Sequence, residues 1–239
     1  MSAVALLTGR GGSTLQNKNI LPVLNKPLLY YPSSAAIESG VFDHYFISSD
    51  DQNILDAAPK DFKHIMRPKD ISQGNSQHID CIRHSLKYMF EKYNISPKIL
   101  VVLMANSATI LPEYLSKAVE MLEDDKNASA VVGAYIDQDH HPHRAKTLCS
   151  DNYLRSFCNL ENQHISTNRQ DLSSCYFLSH NFWAMNLENI EDFDKGDKPW
   201  TFLGDKVKPM NVENAFDVHT LEDIKISEKW LLKYRYKNV

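Results

Sequence analysis

Apolar residues in this chain come in short continuous runs, separated by longer stretches in which they recur at helical spacing. Ala3-Val4-Ala5-Leu6-Leu7, closed by Thr8, is such a run, and its unbroken apolarity predicts a strand covered on both faces. The pattern then predicts a helix over 27–40 around Leu28, Leu29, Ala35, Ala36 and Ile37, and a strand at Tyr45-Phe46-Ile47. A helix at 51–58, a short strand at 62–66, a helix at 76–93, a strand from Ile99 to Leu103, a helix at 112–125 and a strand from Ala130 to Tyr135 continue the alternation. Strands separated by helices predict an α/β fold: a mostly parallel sheet with right-handed crossovers, flanked by helices. From 137 to 186 the pattern is less regular, with β-structure expected around 146–148, 154–158 and 176–185. A last helix at 221–234 is expected to turn Ile224, Ile226, Trp230 and Leu231 inward.

Composition narrows the class. With 239 residues, 43% of them hydrophobic, and no composition shift or low-complexity stretch, the chain is expected to fold as one domain over 1–239. A formal net charge of -4 argues against a dedicated nucleic-acid binder, which needs clustered Lys and Arg, so the expected ligand is small. No apolar run reaches the length of a membrane span and the start lacks a signal-peptide pattern, so a cytoplasmic protein without membrane partners is expected. Cys81, Cys149, Cys158 and Cys175 form no Cys-x-x-Cys pair and read as four ordinary thiols.

The candidate chemistry starts where the first strand ends. Gly9-Arg10-Gly11-Gly12-Ser13-Thr14 and the following Lys18 combine glycines, which allow positive φ and close backbone approach, with two cations. That suits a triphosphate, with Arg10 and Lys18 meeting the charge and the amides of Gly11, Gly12 and Ser13 behind them. The P-loop pattern is excluded, because Gly12 is followed by Ser13-Thr14 and not by Lys, and the dinucleotide pattern lacks its third glycine at Thr14. A plain flexible loop remains the alternative. The turns Ser48-Ser49-Asp50-Asp51 and Asn106-Ser107 also follow predicted strands, and in parallel sheets ligands gather at the carboxyl ends of strands. Asp50 and Asp51 suit either a helix cap or a nucleotide contact. Asp137, Asp139, His140, His141 and His143 suit an exposed loop better than a zinc site, since adjacent histidines seldom converge on one ion.

Residues 3–29 resemble the opening of the acylneuraminate cytidylyltransferases (CMP-sialic acid synthetases): a strand, Ala-Arg-Gly-Gly-Ser-Lys, a spacer, Lys-Asn, then Gly-Lys-Pro-Leu. Here the corresponding stretch includes Lys18-Asn19 and Asn25-Lys26-Pro27-Leu28. Ser48-Ser49-Asp50-Asp51, Arg67-Pro68, the Ile79-Asp80 helix, Arg169-Gln170-Asp171-Leu172 and Phe216-Asp217-Val218-His219-Thr220-Leu221-Glu222-Asp223 resemble later segments of that family, so the likeness covers nearly the whole chain.

The resemblance implies a Rossmann-like sheet of the nucleotide-diphospho-sugar transferase type, with a small β-rich dimerisation arm inserted at about 137–186 and hence a homodimer. It implies transfer of CMP from CTP to an acidic sugar of the nonulosonic class, with release of pyrophosphate and with magnesium (Mg2+) as cofactor. By the same resemblance Arg10, Lys18 and Asp217 are catalytic, and Asp217 and His219 are the metal ligands. Gly11, Gly12, Ser13, Asn19, Asp50, Asn75 and Ser76 would contact the nucleotide, and Ser107, Arg169 and Gln170 the acceptor.

The chain departs from the family pattern at several places. Thr14 stands for a lysine, His219 for the second aspartate, and Gly74-Asn75-Ser76-Gln77 for Asp-Thr-Ala-Ser near the base. Met104-Ala105-Asn106-Ser107-Ala108 replaces Gln-Pro-Thr-Ser-Pro, and Ser179-His180-Asn181-Phe182-Trp183 replaces Asn-Gly-x-x-Tyr, which points to an acceptor other than ordinary sialic acid. Two alternatives stay open: a related sugar-phosphate nucleotidyltransferase using another NTP, and a degenerate relative that only binds nucleotide.

Overall fold

The computed structural model describes residues 2–12, 15–161, 164–212 and 214–236. Its strands are β1 (Ala3–Thr8), β2 (His44–Ser49), β3 (Phe62–Met66), β4 (Ile99–Met104), β5 (Ala130–Ile136), β6 (Tyr176–Asn186) and β7 (Val207–Asn211), in the sheet order β7-β5-β6-β4-β1-β2-β3. β1 and β4 are buried at every residue, as strands covered on both faces must be. The pairs β4–β1, β1–β2 and β2–β3 are parallel, and β6 joins β4 antiparallel through Phe182–Asn186.

Helices α1 (Tyr30–Ser39), α2 (Gln52–Asp56), α3 (His78–Tyr93), α4 (Pro112–Asp124) and α5 (Leu221–Trp230) complete the fold. Alternate residues of the central strands serve opposite faces. Ala5 and Leu7 of β1 and Val101 and Leu103 of β4 join one core with Ala35 and Ala36 of α1 and Leu115 and Ala118 of α4. Thr8 turns the other way and meets α3, its Oγ1 lying 3.0 Å from His78 Nε2.

Register places the site. Thr8 sits opposite Ser48 on one side and Met104 on the other, so the loops leaving β1, β2 and β4 emerge abreast at one edge of the sheet.

Several elements differ from expectation. The helix expected from 27 begins at Tyr30, because Pro22–Val23 and Lys26–Pro27 pair as a tight hairpin turned through Leu24 and Asn25 at φ 43° and 63°. Leu24 is no turn former, and the amide it offers is accepted by Glu228 Oε1 at 3.1 Å, far along the chain. The last helix is regular only to Trp230 and continues as a wider π turn over Leu231–Arg235. Ile226, expected inside, is 43% exposed: two residues past buried Ile224, it faces the opposite side of the helix. β7 was not expected, since Lys208 and Pro209 interrupt its apolar pattern, and Pro is tolerated on an edge strand.

Contacts divide the chain into two compact units, Met1–Gly133 with Ser179–Val239, and Ala134–Leu178. Within the second, Lys146–Leu148 pairs antiparallel with Leu154–Ser156 and the rings of Tyr135 and Phe177 stack at 5.9 Å. All four cysteines are free thiols, and among the described residues no helix is long and apolar enough to cross a membrane.

Candidate active site

The loop after β1 is held by side chains from the neighbouring strand ends. Arg67, directly after β3, is buried and donates from Nε to Ser48 Oγ (3.2 Å) and from Nη2 to the carbonyls of Ser48 (2.8 Å) and Gly9 (3.4 Å). Asn19, also buried, donates to the Arg10 carbonyl at 3.0 Å, and Asp50 Oδ1 accepts from the Gly11 amide at 3.0 Å. A Cβ on Gly11 would lie 2.9 Å from the Cβ of Asp51, so close approach explains this glycine. Positive φ does not: among the described residues only Gly40 and Gly204 adopt it among glycines.

Between this loop and the start of α3 opens a cavity of about 210 Å³, lined by Arg10, Lys18, Asn19, Arg67, Ser76 and His78 among others. The Arg10 guanidinium donates across it to the Gln73 carbonyl. Burial pushes the Lys18 ammonium below its ordinary value, the Asp217 carboxylate opposes the fall and Arg10 adds to it. His78 is driven down to about 4, by burial first and then by Arg67 and His180, so its ring is neutral at physiological pH. Since the Thr8 hydroxyl donates to the Leu103 carbonyl at 3.3 Å, it accepts from His78 Nε2.

Asp217 reaches the same place from the far end of the chain because its segment is stitched to the turn after β4. Asn106 Nδ2 donates to Asp217 Oδ2 (3.0 Å), and the Val218 amide donates to the Asn106 carbonyl (2.8 Å). Ser107 Oγ and Thr109 Oγ1 both donate to the Phe216 carbonyl at 2.8 Å. His219 Nε2 lies 2.9 Å from Asp217 Oδ2. The cap of α5 is made by Thr220 and Asp223, whose carboxylate accepts the amides of His219 and Thr220 at 2.8 Å each, so Asp217 is not the capping acid.

A second cavity of about 650 Å³ adjoins the first, sharing Gln77, His78, Met104 and Asn106, and is lined further by Asp217 and by the rings of His180, Trp183, Trp200 and Phe202. His180 takes the position of the family's glycine and has φ 53°, in the left-handed region glycine favours.

The structure thus gathers Arg10, Lys18, Asn19, Ser76, Asn106 and Asp217 at two adjoining cavities. Three of the expected contact residues are engaged by the protein's own backbone or side chains. Ser107 is fully buried and its hydroxyl serves the Phe216 carbonyl, so it anchors the Asp217 segment. Asp50 holds the Gly11 amide, and Asp51 caps α2 by accepting from the Asn53 amide at 2.9 Å; both carboxylates order backbone. Asn75 is exposed and outside the cavity lining, its carbonyl accepting from Gln77 Nε2 at 3.2 Å. Gly12 is exposed, and Ser13 and Thr14 lie outside the described residues. Arg169 and Gln170 belong to the 134–178 unit, where Arg169 Nη1 forms an ion pair with Asp139 at 2.9 Å. In the sequence Arg67 stands out only within the resembling Arg67-Pro68 pair, without a role, and His78, the first residue of α3, is not singled out. An Arg-Pro pair and a lone His carry no local signal of a buried site.

For a metal, the described residues of the crevice offer the carboxylate of Asp217, with His219 next to it; Asp194, which also lines the second cavity, is paired with Arg83 at 2.6 Å. Among the described residues no three His, Cys, Asp or Glu side chains gather as a cage. A single carboxylate suits magnesium, which keeps waters and takes phosphate oxygens.

A mostly parallel sheet that presents a basic loop and a distant carboxylate at its carboxyl edge has the architecture of the Rossmann-like nucleotidyltransferases. The solved structure of CMP:2-keto-3-deoxy-manno-octonic acid synthetase complexed with CTP shares the fold with a TM-score of 0.69 at 14% identity, over 98% of this chain and 99% of that one. The 4-diphosphocytidyl-2C-methyl-D-erythritol synthase of Anaerococcus prevotii does so at 0.63 and 16%, over 96% of each. A family model described as cytidylyltransferase matches residues 4–195, and the chain belongs to that family of enzymes. It is 25% identical over 231 residues to the pseudaminic acid cytidylyltransferase of Campylobacter jejuni, covering 95% of both chains. Against the Helicobacter pylori protein named pseudaminic acid cytidylyltransferase and UDP-2,4-diacetamido-2,4,6-trideoxy-beta-L-altropyranose hydrolase, identity is 28% over 187 residues, 74% of this chain and 33% of that protein.

Proposed function

We propose that this chain transfers CMP from CTP to the anomeric hydroxyl of a nonulosonic acid of the pseudaminic type, with release of pyrophosphate. The observation that carries the reading is the meeting of the Arg10–Lys18 loop with Asp217 across two adjoining cavities, one basic and one ring-walled. The names and nearly full-length coverage of the Campylobacter jejuni relative support the acceptor class.

In this reading the triphosphate lies in the basic cavity, and Arg10 and Lys18 stabilise the charge that collects on the departing pyrophosphate. Asn106 keeps Asp217 aimed at the junction, and the acceptor enters from the ring-walled side, so attack is a matter of positioning. Asp217, with His219 beside it, would hold magnesium, which when bound neutralises phosphate charge and polarises the reacting hydroxyl. The chain acts as a homodimer in the same proposal. Leu148, Tyr153, Leu154 and Phe157 of the 134–178 unit are 66–71% exposed, a patch that a second copy would cover.

The test is pyrophosphate release with magnesium, each of the four NTPs, and a panel of keto-sugar acids and sugar 1-phosphates. Release only with CTP and a nonulosonic acid is expected; release only with a sugar 1-phosphate would replace the reading. Asp217→Asn is expected to cut turnover and raise the magnesium requirement, and an unchanged metal titration would return Asp217 to a structural role.

A further inference from the structure

His180 interrupts β6 with a left-handed backbone, φ 53°, which a residue with a Cβ adopts at some cost. Its neighbours hold it there. Asn181 is fully buried, accepts from the Ser179 hydroxyl (2.6 Å) and the Phe182 amide (3.0 Å) on Oδ1, and donates from Nδ2 to the Thr109 carbonyl at 3.3 Å. Backbone strain that flanking bonds over-determine clusters at functional sites.

The imidazole placed in this way has ring neighbours and no polar ones. Its centroid lies 5.1 Å from Trp200 and 6.3 Å from Trp183, and the residue lines the cavity that also holds Asn106 and Asp217. Among the described residues it makes no side-chain hydrogen bond or ion pair, and neither ring nitrogen is sealed from solvent, as the indole nitrogen of Trp183 is. Burial lowers its pKa from 6.5, with Asp217 opposing, so near neutral pH the ring is uncharged and carries a free lone pair.

The other titratable groups lining this cavity are committed. Asp217 Oδ2 accepts from Asn106 at 3.0 Å and lies 2.9 Å from His219, and Asp194 is paired with Arg83 at 2.6 Å. His78 is bonded to Thr8 and driven down to about 4, which makes it a poor proton acceptor near neutral pH.

We infer that His180 is a catalytic base, whose free ring nitrogen takes the proton of the acceptor hydroxyl as that hydroxyl attacks CTP. The acceptor oxygen bonds to the α-phosphorus, and the bond from that phosphorus to the bridging oxygen breaks, its electron pair leaving on pyrophosphate. The hydroxyl proton passes to the imidazole and from there to water. The inference rests on the nucleotidyl-transfer reading and adds the proton acceptor to it.

The experiment measures the single-turnover rate of pyrophosphate release from CTP with magnesium and a nonulosonic acid of the pseudaminic type. His180→Gly suits the left-handed backbone and leaves a gap the size of the ring; it is expected to lower the rate about a hundredfold, the usual worth of a general base. Added imidazole should restore much of that loss, whereas pyrazole, a ring of the same size but far weaker as a base, should not. His180→Asn tolerates the same backbone, has no basic nitrogen and should lose as much, and it serves should the glycine variant not fold. A wild-type rate in either variant, or rescue by both rings alike or by neither, overturns the inference while the transfer reading stands. Absence of release by the unmodified chain overturns that reading and the inference with it.

Discussion

The two cavities meet at Asn106, yet they are held by different forces. Around the loop, directional bonds to backbone dominate: Arg67 to Ser48 and Gly9, Asp50 to Gly11, Asn19 to Arg10. Around Trp183, rings pack on rings, and its indole N–H has no partner among the described residues. A triphosphate presents the same oxygens whatever base it carries, so a cradle fixed by hydrogen bonds can be rigid. Acceptors differ in their substituents, and ring contacts, being nondirectional, change with single substitutions.

The largest effect that would test this division is on the basic side. Arg10→Ala is expected to lower kcat about a hundredfold or more, as loss of one group stabilising transition-state charge does, with the urea midpoint nearly unchanged. Wild-type turnover would remove Arg10 from the site.

His78 belongs to both cavities, and its effect is read in stability. Because its folded pKa, about 4, lies below the ordinary 6.5, the unfolded chain binds the extra proton in the interval between. Stability is therefore unaffected by His78 above about 6.5, is lost progressively as pH falls toward 4, and levels off below; the full loss is about 3 kcal/mol. Urea unfolding across that range checks it, and His78→Gln should flatten the profile. An unchanged slope in the variant would assign the loss to other groups.

Arg67→Lys keeps the charge and removes the forked donors, and should destabilise by about 2 kcal/mol while raising KM for CTP more than KM for the acid. A larger effect on the acid would break the separation of the two cavities. The smallest expected change is Thr220→Ala, a lost cap worth about 1 kcal/mol in thermal or urea unfolding. If turnover falls with it out of proportion, the placement of Asp217 depends on the start of α5.

Contiguous signals were legible in the chain. The strands β1 and β4 show as unbroken apolar runs, and the loop after β1 brings glycines and cations together within ten residues, from Gly9 to Lys18. What was not legible depends on partners far away. The hydroxyl of Ser107 is claimed by the Phe216 carbonyl, 109 positions on, and the amide of Gly11 by Asp50. Arg67 is an ordinary surface residue by composition, and only the register of β2 and β3 buries it under Ser48 and Gly9. Trp200 and Phe202 sit in a segment without helical or strand period, so nothing local marks them as a wall.

The amino-acid order alone therefore settled the alternation of strands and helices, the parallel sheet that follows from it, and a basic loop at the carboxyl edge. Those properties depend on residues a few positions apart, whose spacing governs which face is apolar. Tertiary structure alone decided that Thr8 lies abreast of Ser48 and Met104, that Asp217 hangs from Asn106, and that rings from 78, 180, 183, 200 and 202 share one cavity. Register and side-chain packing between distant segments set those neighbours, and no local pattern encodes them.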